Sequence, residues 1–198
     1  MTELVLVRHG ATRENLEQRY CGRLNPPLAS EAAGEVRRTA GLLSGWEPTH
    51  VYCSEALRAR QTADIVAPGR SVIYLEALRE MDFGRFDGLS ANEIQNRMPD
   101  VWQAYMDDYS RFTFPDGDNV KDYLTNSFKT IKAIIRETDG GRILIVAHKG
   151  FVLSALSHLL HGDSDHIFSY DIRPAGFAKL AVGNGFAVLK QLIQPLKV

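Results

Sequence analysis

Residues 4–10 read Leu-Val-Leu-Val-Arg-His-Gly, and residues 143–150 read Ile-Leu-Ile-Val-Ala-His-Lys-Gly. Each is a short apolar run, rich in branched residues, that stops at a histidine with a glycine close behind. Such runs predict strands buried inside a sheet. In open α/β sheets, ligands bind outside the carboxyl ends of the strands. His9 and His148 are therefore expected to face one crevice. Gly10 and Gly150 are expected to let the chain turn sharply and a ligand approach the backbone. A helix starting near Gly150 would aim free N–H groups at the crevice, which favours an anion.

The flanking sequence supplies the rest of the fold. Ser30 is expected to cap a helix that carries Ala33, Val36, Ala40 and Leu43 at helical spacing. His50–Cys53 predicts a second strand, and Ser54 the cap of a helix running to about Val66. Residues 72–75 predict a third strand. Residues 91–138 predict mainly helix, broken near Pro99 and at Pro115-Asp116-Gly117. A further helix spans residues 150–160 and ends near Gly162. Residues 177–182 and 186–193 flank Gly183-Asn184-Gly185, the pattern of a hairpin. Strands alternating with helices predict a three-layer α/β/α fold, with a mostly parallel central sheet and an antiparallel hairpin at its edge. No linker, repeat or charge block divides the 198 residues, so one domain over 1–198 is expected.

Twenty-three basic and 24 acidic side chains leave a net charge of -1. That balance gives no electrostatic reason to expect nucleic acid or an anionic membrane as partner. An anionic ligand must then be held by a local cluster of cations. Arg58 falls within the first turn of its predicted helix, where the macrodipole disfavours a cation. A bound anion would remove that objection, and Arg8 with Arg58 would make a planar, multi-donor clamp suited to phosphate. Taken alone, Arg58 reads better as a surface arginine paired with a carboxylate. Cys21 and Cys53 are too few for a zinc motif or a disulfide framework, and read as reduced thiols of a cytoplasmic protein. The first apolar run lacks the basic flank and length of a signal peptide, and nowhere do about 18 apolar residues run together. His50 and His158 read as structural. His161, Asp163, Asp165 and His166 read as capping and loop residues in preference to a metal site.

Arg8-His9-Gly10-Ala11-Thr12 with Asn15 resembles the Arg-His-Gly-x-Thr-x-x-Asn motif of the histidine phosphatase (phosphoglycerate mutase-like) superfamily. Residues 53–63 resemble the family's second arginine segment, residues 78–84 its acid-bearing segment, and residues 146–150 its second-histidine segment. The matches come in family order and span most of the chain. The resemblance implies that His9 is the nucleophile, oriented by the Gly10 carbonyl. It implies that Arg8, Arg58 and His148 form the phosphate pocket with Thr12 and Asn15 close by, and that Glu80 is the proton donor. Cys21-Gly22, after Tyr20, resembles the loop lining the substrate entrance. Phosphoryl transfer needs positioning and charge stabilisation, which Arg8, Arg58 and a protonated His148 would provide. A partly buried Glu80 would protonate the leaving group and then deprotonate the hydrolytic water. No metal or other cofactor is implied.

The length resembles the compact phosphatase branch more than the cofactor-dependent mutases. Within that branch, residues 20–22, 80–84 and 148–154 resemble the α-ribazole phosphatases of cobalamin nucleotide-loop assembly. The expected partner is accordingly a small phosphorylated metabolite, α-ribazole phosphate among them, and a homodimer is left open. Four positions depart from the family pattern: Phe86 stands for a frequent tryptophan, Asp118-Asn119 for Glu-Ser, and Leu153 for a common arginine. Lys149 and Arg85 are candidate substrate contacts, and equally ordinary surface residues. Trp102, Tyr105, Tyr109 and Phe112 recur at helical spacing; core packing is the favoured reading, a lid over an aromatic substrate the other. Two other functions stay open: a phosphoglycerate mutase, and a catalytically silent phospholigand-binding module.

Overall fold

The computed structural model describes residues 1–138, 140–183 and 185–195. Six strands form one sheet: β1 (Thr2–Arg8), β2 (His50–Cys53), β3 (Val72–Tyr74), β4 (Gly141–Ala147), β5 (Phe177–Gly183) and β6 (Phe186–Ile193), in spatial order β3-β2-β4-β1-β5-β6. β3, β2, β4 and β1 run parallel, and the β5–β6 pair is antiparallel at the edge, as the alternation of patterns predicts. Gly183 and Gly185 flank the hairpin turn; Asn184 lies outside the described residues.

Alternation along β1 splits the core in two. Leu4 and Leu6 face a large cluster with Ile143, Ile145, Phe151 and Leu156, whereas Val5 and Val7 face a smaller one with Val51, Cys53, Leu144 and Val146. The large cluster is covered by α6 (Val120–Thr138) and α7 (Lys149–His161). The smaller one is covered by α3 (Leu57–Val66), through Ala59 and Ala63. α1 (Arg13–Leu16), α2 (Ala32–Leu42), α4 (Ala91–Arg97) and α5 (Pro99–Asp107) complete the helices, with Pro99 in the first turn of α5.

Two predicted caps are corrected. α2 begins beyond Ser30, whose hydroxyl donates to Glu31 at 2.7 Å instead of capping. α3 begins three residues after Ser54, with Ala56 in the cap position and no side-chain cap. The hydroxyl of Ser54 is engaged elsewhere, as described below. The aromatic stripe packs against the core with its rings half-buried: Tyr105 lies 5.3–5.9 Å, ring to ring, from Phe86, Phe112, Phe114, Tyr109 and Trp102. Phe86, at the tryptophan position, is fully buried in that cluster, and Leu153 is buried on α7. Around residues 161–170, His161 pairs with the Tyr170 hydroxyl at 2.7 Å and its ring stacks on His166, while Asp163 accepts from the Asp165 amide. No helix among the described residues is long and apolar enough to cross a membrane.

Candidate active site

The sheet register sets the two histidines side by side. β1 pairs with β4 through Arg8 and Ala147, and the His9 amide donates to the Ala147 carbonyl at 2.9 Å. His9 and His148 follow directly, with ring centroids 5.0 Å apart in an edge-on arrangement. On the other side of β4, β2 ends level with them, and the Ser54 amide donates to Val146 at 3.0 Å. Three parallel strand ends thus deliver His9, His148 and Ser54 to one crevice.

Arg58, two residues into α3, fixes the ring tautomers. Its Nε–H donates to His9 Nε2 at 3.3 Å, and its Nη2–H donates to His148 Nδ1 at 3.2 Å. A guanidinium has no acceptor, so both ring nitrogens must present lone pairs. His9 then carries its proton on Nδ1, which donates to the Gly10 carbonyl at 2.7 Å. His148 carries its proton on Nε2, which donates to the Ser54 hydroxyl at 2.8 Å. The sequence reading missed Ser54 as a site residue. Its signal was its position at a strand end, matching those of the two histidines. The rest of the Arg58 guanidinium donates to the carbonyls of Leu24 and Gly22, at 2.7 and 3.1 Å. It is 1% exposed and has no carboxylate partner among the described ion pairs, so the surface-arginine alternative does not hold.

Arg8 donates Nη1–H to the Ile172 carbonyl at 2.7 Å, while its buried Nε–H has no partner. Burial draws its pKa down to about 10, against the opposing pull of Glu80 and Asp171. Burial, reinforced by Arg58 and Arg8, holds the His9 pKa well below the usual imidazole value. Burial, then His9 and Arg58, does the same to His148. Both rings are neutral in the free site, so the expected imidazolium at His148 is not the resting form. The unfolded chain protonates these histidines below about pH 6.5 and the folded one does not, so acid favours unfolding. Urea unfolding is expected to lose up to about 1.4 kcal/mol per pH unit per histidine on acidifying below pH 6.5. A His9→Ala, His148→Ala double variant should flatten that limb; an unchanged slope would show that the rings are not held neutral.

Glu80 sits across the crevice and is 8% exposed. Its Oε1 accepts from the Met81 amide at 3.0 Å and lies 3.1 Å from the Tyr123 hydroxyl, whose one proton it shares with the Arg79 carbonyl, also at 3.1 Å; its Oε2 accepts from the Gly150 amide at 3.2 Å. A Cβ at Gly150 would stand 2.5 Å from Oε1. The close approach that Gly150 permits is therefore by Glu80, whereas a ligand was expected. At Gly10 the neighbour is Val36, 2.5 Å from a built Cβ. Tyr123 lies mid-helix in α6, and no local pattern marked it. Asp118, a departure from the family pattern, grips Arg79 through two bonds of 2.6 and 3.0 Å and accepts from the Asp82 amide, which ties down the Glu80 segment.

The remaining expected site residues divide. Asn15, Cys21 and Lys149 line a cavity of about 260 Å³ with Arg8, His9 and Glu80. Gly22 lines an adjoining cavity of about 360 Å³ with Arg58, His148, Ser54 and Glu80. A Cβ at Gly22 would meet the Met81 carbonyl at 2.2 Å, so only glycine fits. Thr12 is not brought to the crevice. It is fully buried, and its hydroxyl accepts from the Asn15 amide, while Asn15 Oδ1 accepts from the Thr12 amide, in a capping box on α1. Burial pushes the Cys21 thiol up to about 11, so it is no nucleophile at neutral pH. Arg85 lines neither cavity.

A sequence model of the histidine phosphatase superfamily (branch 1) matches residues 4–194. The chain belongs to the histidine phosphatase superfamily. The curated Adenosylcobalamin/alpha-ribazole phosphatase of Salmonella typhimurium is 27% identical over 191 residues, covering 96% of this histidine phosphatase and 95% of the relative. Phosphoglycerate mutase-like protein 4 of Arabidopsis thaliana is 31% identical over 157 residues, 77% of this chain and 68% of the relative. Among solved structures, a putative alpha-ribazole-5'-P phosphatase of Escherichia coli K-12 superposes with a TM-score of 0.91 over 100% of this chain and 98% of that one, at 23% identity. That last likeness carries the fold alone. With the family comes the reaction class: this histidine phosphatase is a phosphomonoester hydrolase.

Proposed function

We propose that the protein hydrolyses a small phosphorylated metabolite through a phosphohistidine on His9, without a metal ion. The observation that carries this reading is the fixed Nδ1–H tautomer of His9, which points the Nε2 lone pair into a crevice holding two guanidiniums. A neutral imidazole with one anchored nitrogen is a prepared nucleophile. Binding of a phosphoryl dianion gives the orphaned Arg8 Nε–H an acceptor and draws Arg58 Nε–H off the His9 lone pair. Arg8 and Arg58 then neutralise the equatorial oxygens, the role a metal plays elsewhere.

His9 Nε2 attacks phosphorus as the ester P–O bond breaks. Glu80, in its acid form, gives the leaving oxygen its proton. The resulting carboxylate takes a proton from water, which attacks the phosphohistidine and releases inorganic phosphate. Mutase chemistry would require the phosphoryl group to return to an alcohol instead.

α-Ribazole phosphate is the first candidate substrate, because the relatives of matching length carry that name and Tyr20 and Phe83 line the His9 cavity. The two unpaired, buried thiols, Cys21 and Cys53, fit a cytoplasmic setting. The test is turnover of an aryl phosphate in excess chelator, followed by alkaline quenching with a labelled substrate. Undiminished activity and an acid-labile, base-stable label on His9 are expected; a label elsewhere, or activity abolished by chelation and restored by a metal, rejects the mechanism.

A further inference from the structure

We infer that the substrate carries its negative charge on the phosphoryl group alone, as the ester of an uncharged alcohol. This deepens the phosphatase reading and rests on it. The crevice floor holds Arg8 and Arg58, neither of which has a carboxylate partner among the described ion pairs. The rim is different. Lys149 pairs with Asp171 at 3.0 Å, Arg23 with Asp82 at 3.1 Å, Arg79 with Asp118 at 2.6 Å, and Arg19 with Glu17 at 3.0 Å and also with Glu93.

Uncharged side chains such as Gln18 and Asn25 line these cavities too, but a cation to pair with a second anionic group must come from this rim. Each such donor is already held by a carboxylate, so the new contact replaces an old one and leaves that carboxylate facing the substrate. Arg60 is the exception: its Nε–H donates to the Glu55 carbonyl and its guanidinium lies 4.5 Å over the Tyr74 ring. It is exposed, and Glu55 and Glu76 line the same lobe. Attraction there is screened by water and offset by two acids.

The other lobe adds an apolar patch between its charged residues. Tyr20 and Phe83 stand edge to face at 5.2 Å beside His9, Tyr20 packed on Phe86 and Phe83 on Phe114. A neutral leaving group gains apolar contact there. Phosphoglycerates are disfavoured, because their carboxylate has no free cation to meet at these walls apart from exposed Arg60.

The experiment compares phenyl phosphate with 4-carboxyphenyl phosphate, by phosphate release, in the wild type and in Asp171→Asn and Asp82→Asn. Neither aspartate is assigned a catalytic role, and the ratio of kcat/KM between the two esters cancels any general effect on Arg8. The wild type should prefer phenyl phosphate by on the order of tenfold. Freeing Lys149 or Arg23 should narrow that ratio severalfold in at least one variant. A wild-type ratio near or below one overturns the proposal, and so does a preference that neither variant changes. No turnover of phenyl phosphate at all would instead count against the phosphatase reading.

Discussion

His9→Ala should lower kcat on every phosphomonoester by on the order of 10⁶-fold, the scale of losing a covalent nucleophile. The size follows from the geometry. No second group is placed to replace it: His148 offers Arg58 its one free lone pair and gives its only proton to Ser54, and Cys21 is held protonated by burial. Phosphate binding should survive. Arg8 keeps its unpartnered Nε–H, and Arg58 Nε–H loses its only acceptor and becomes freer to meet an anion. The competitive Ki of inorganic phosphate is therefore expected to change by less than about tenfold, since the lost group is neutral and contributes attack more than binding. Turnover by phosphate release and Ki by phosphate competition of a residual or trapped substrate analogue would separate the two. Activity within tenfold of wild type would remove His9 from the mechanism, and loss of phosphate binding in parallel would mean that the ring builds the pocket.

What could be read in the sequence was whatever the chain encodes locally. The runs ending at His9 and His148 are apolar on both faces because β1 and β4 lie in the middle of the sheet, and their periodicity shows it. Position at a strand end then gave the two histidines and their shared crevice. Where meaning depends on distant partners, local signals misled. Ser54 before a helix looks like a cap, but its hydroxyl serves a ring 94 residues away. Gly150 looks like space for a ligand, but Glu80 from 70 residues earlier fills it. Thr12 and Asn15 fit a phosphate motif, yet here they also satisfy a short helix's N-terminus, and only Asn15 reaches the cavity. Tyr123 and Asp118, which hold Glu80 and its segment, sit in stretches whose pattern speaks of packing and turns alone. The strand ends announce the nucleophile; the acid is positioned almost wholly by tertiary contacts.

That difference makes Glu80→Gln the sharper test of mechanism. The glutamine oxygen keeps one of the two fixed donors, Met81 N–H or Gly150 N–H, while the Tyr123 hydroxyl turns its proton to that oxygen or to the Arg79 carbonyl at 3.1 Å. Either orientation loses one backbone N–H bond, about 1–3 kcal/mol, and keeps the other, so the side chain stays in place. What disappears is the proton. An alkyl ester must leave as an alcohol, and its kcat should fall by about 10²–10⁴-fold. 4-Nitrophenyl phosphate leaves readily as the phenolate, so its first step should survive. Water attack on the phosphohistidine still needs a base, so that step becomes limiting. Stopped-flow mixing should then show a burst of nitrophenolate equal to the enzyme concentration, followed by slow turnover, with phosphohistidine accumulating. An equal loss on both esters with no burst would mean that Glu80 shapes the crevice and moves no proton.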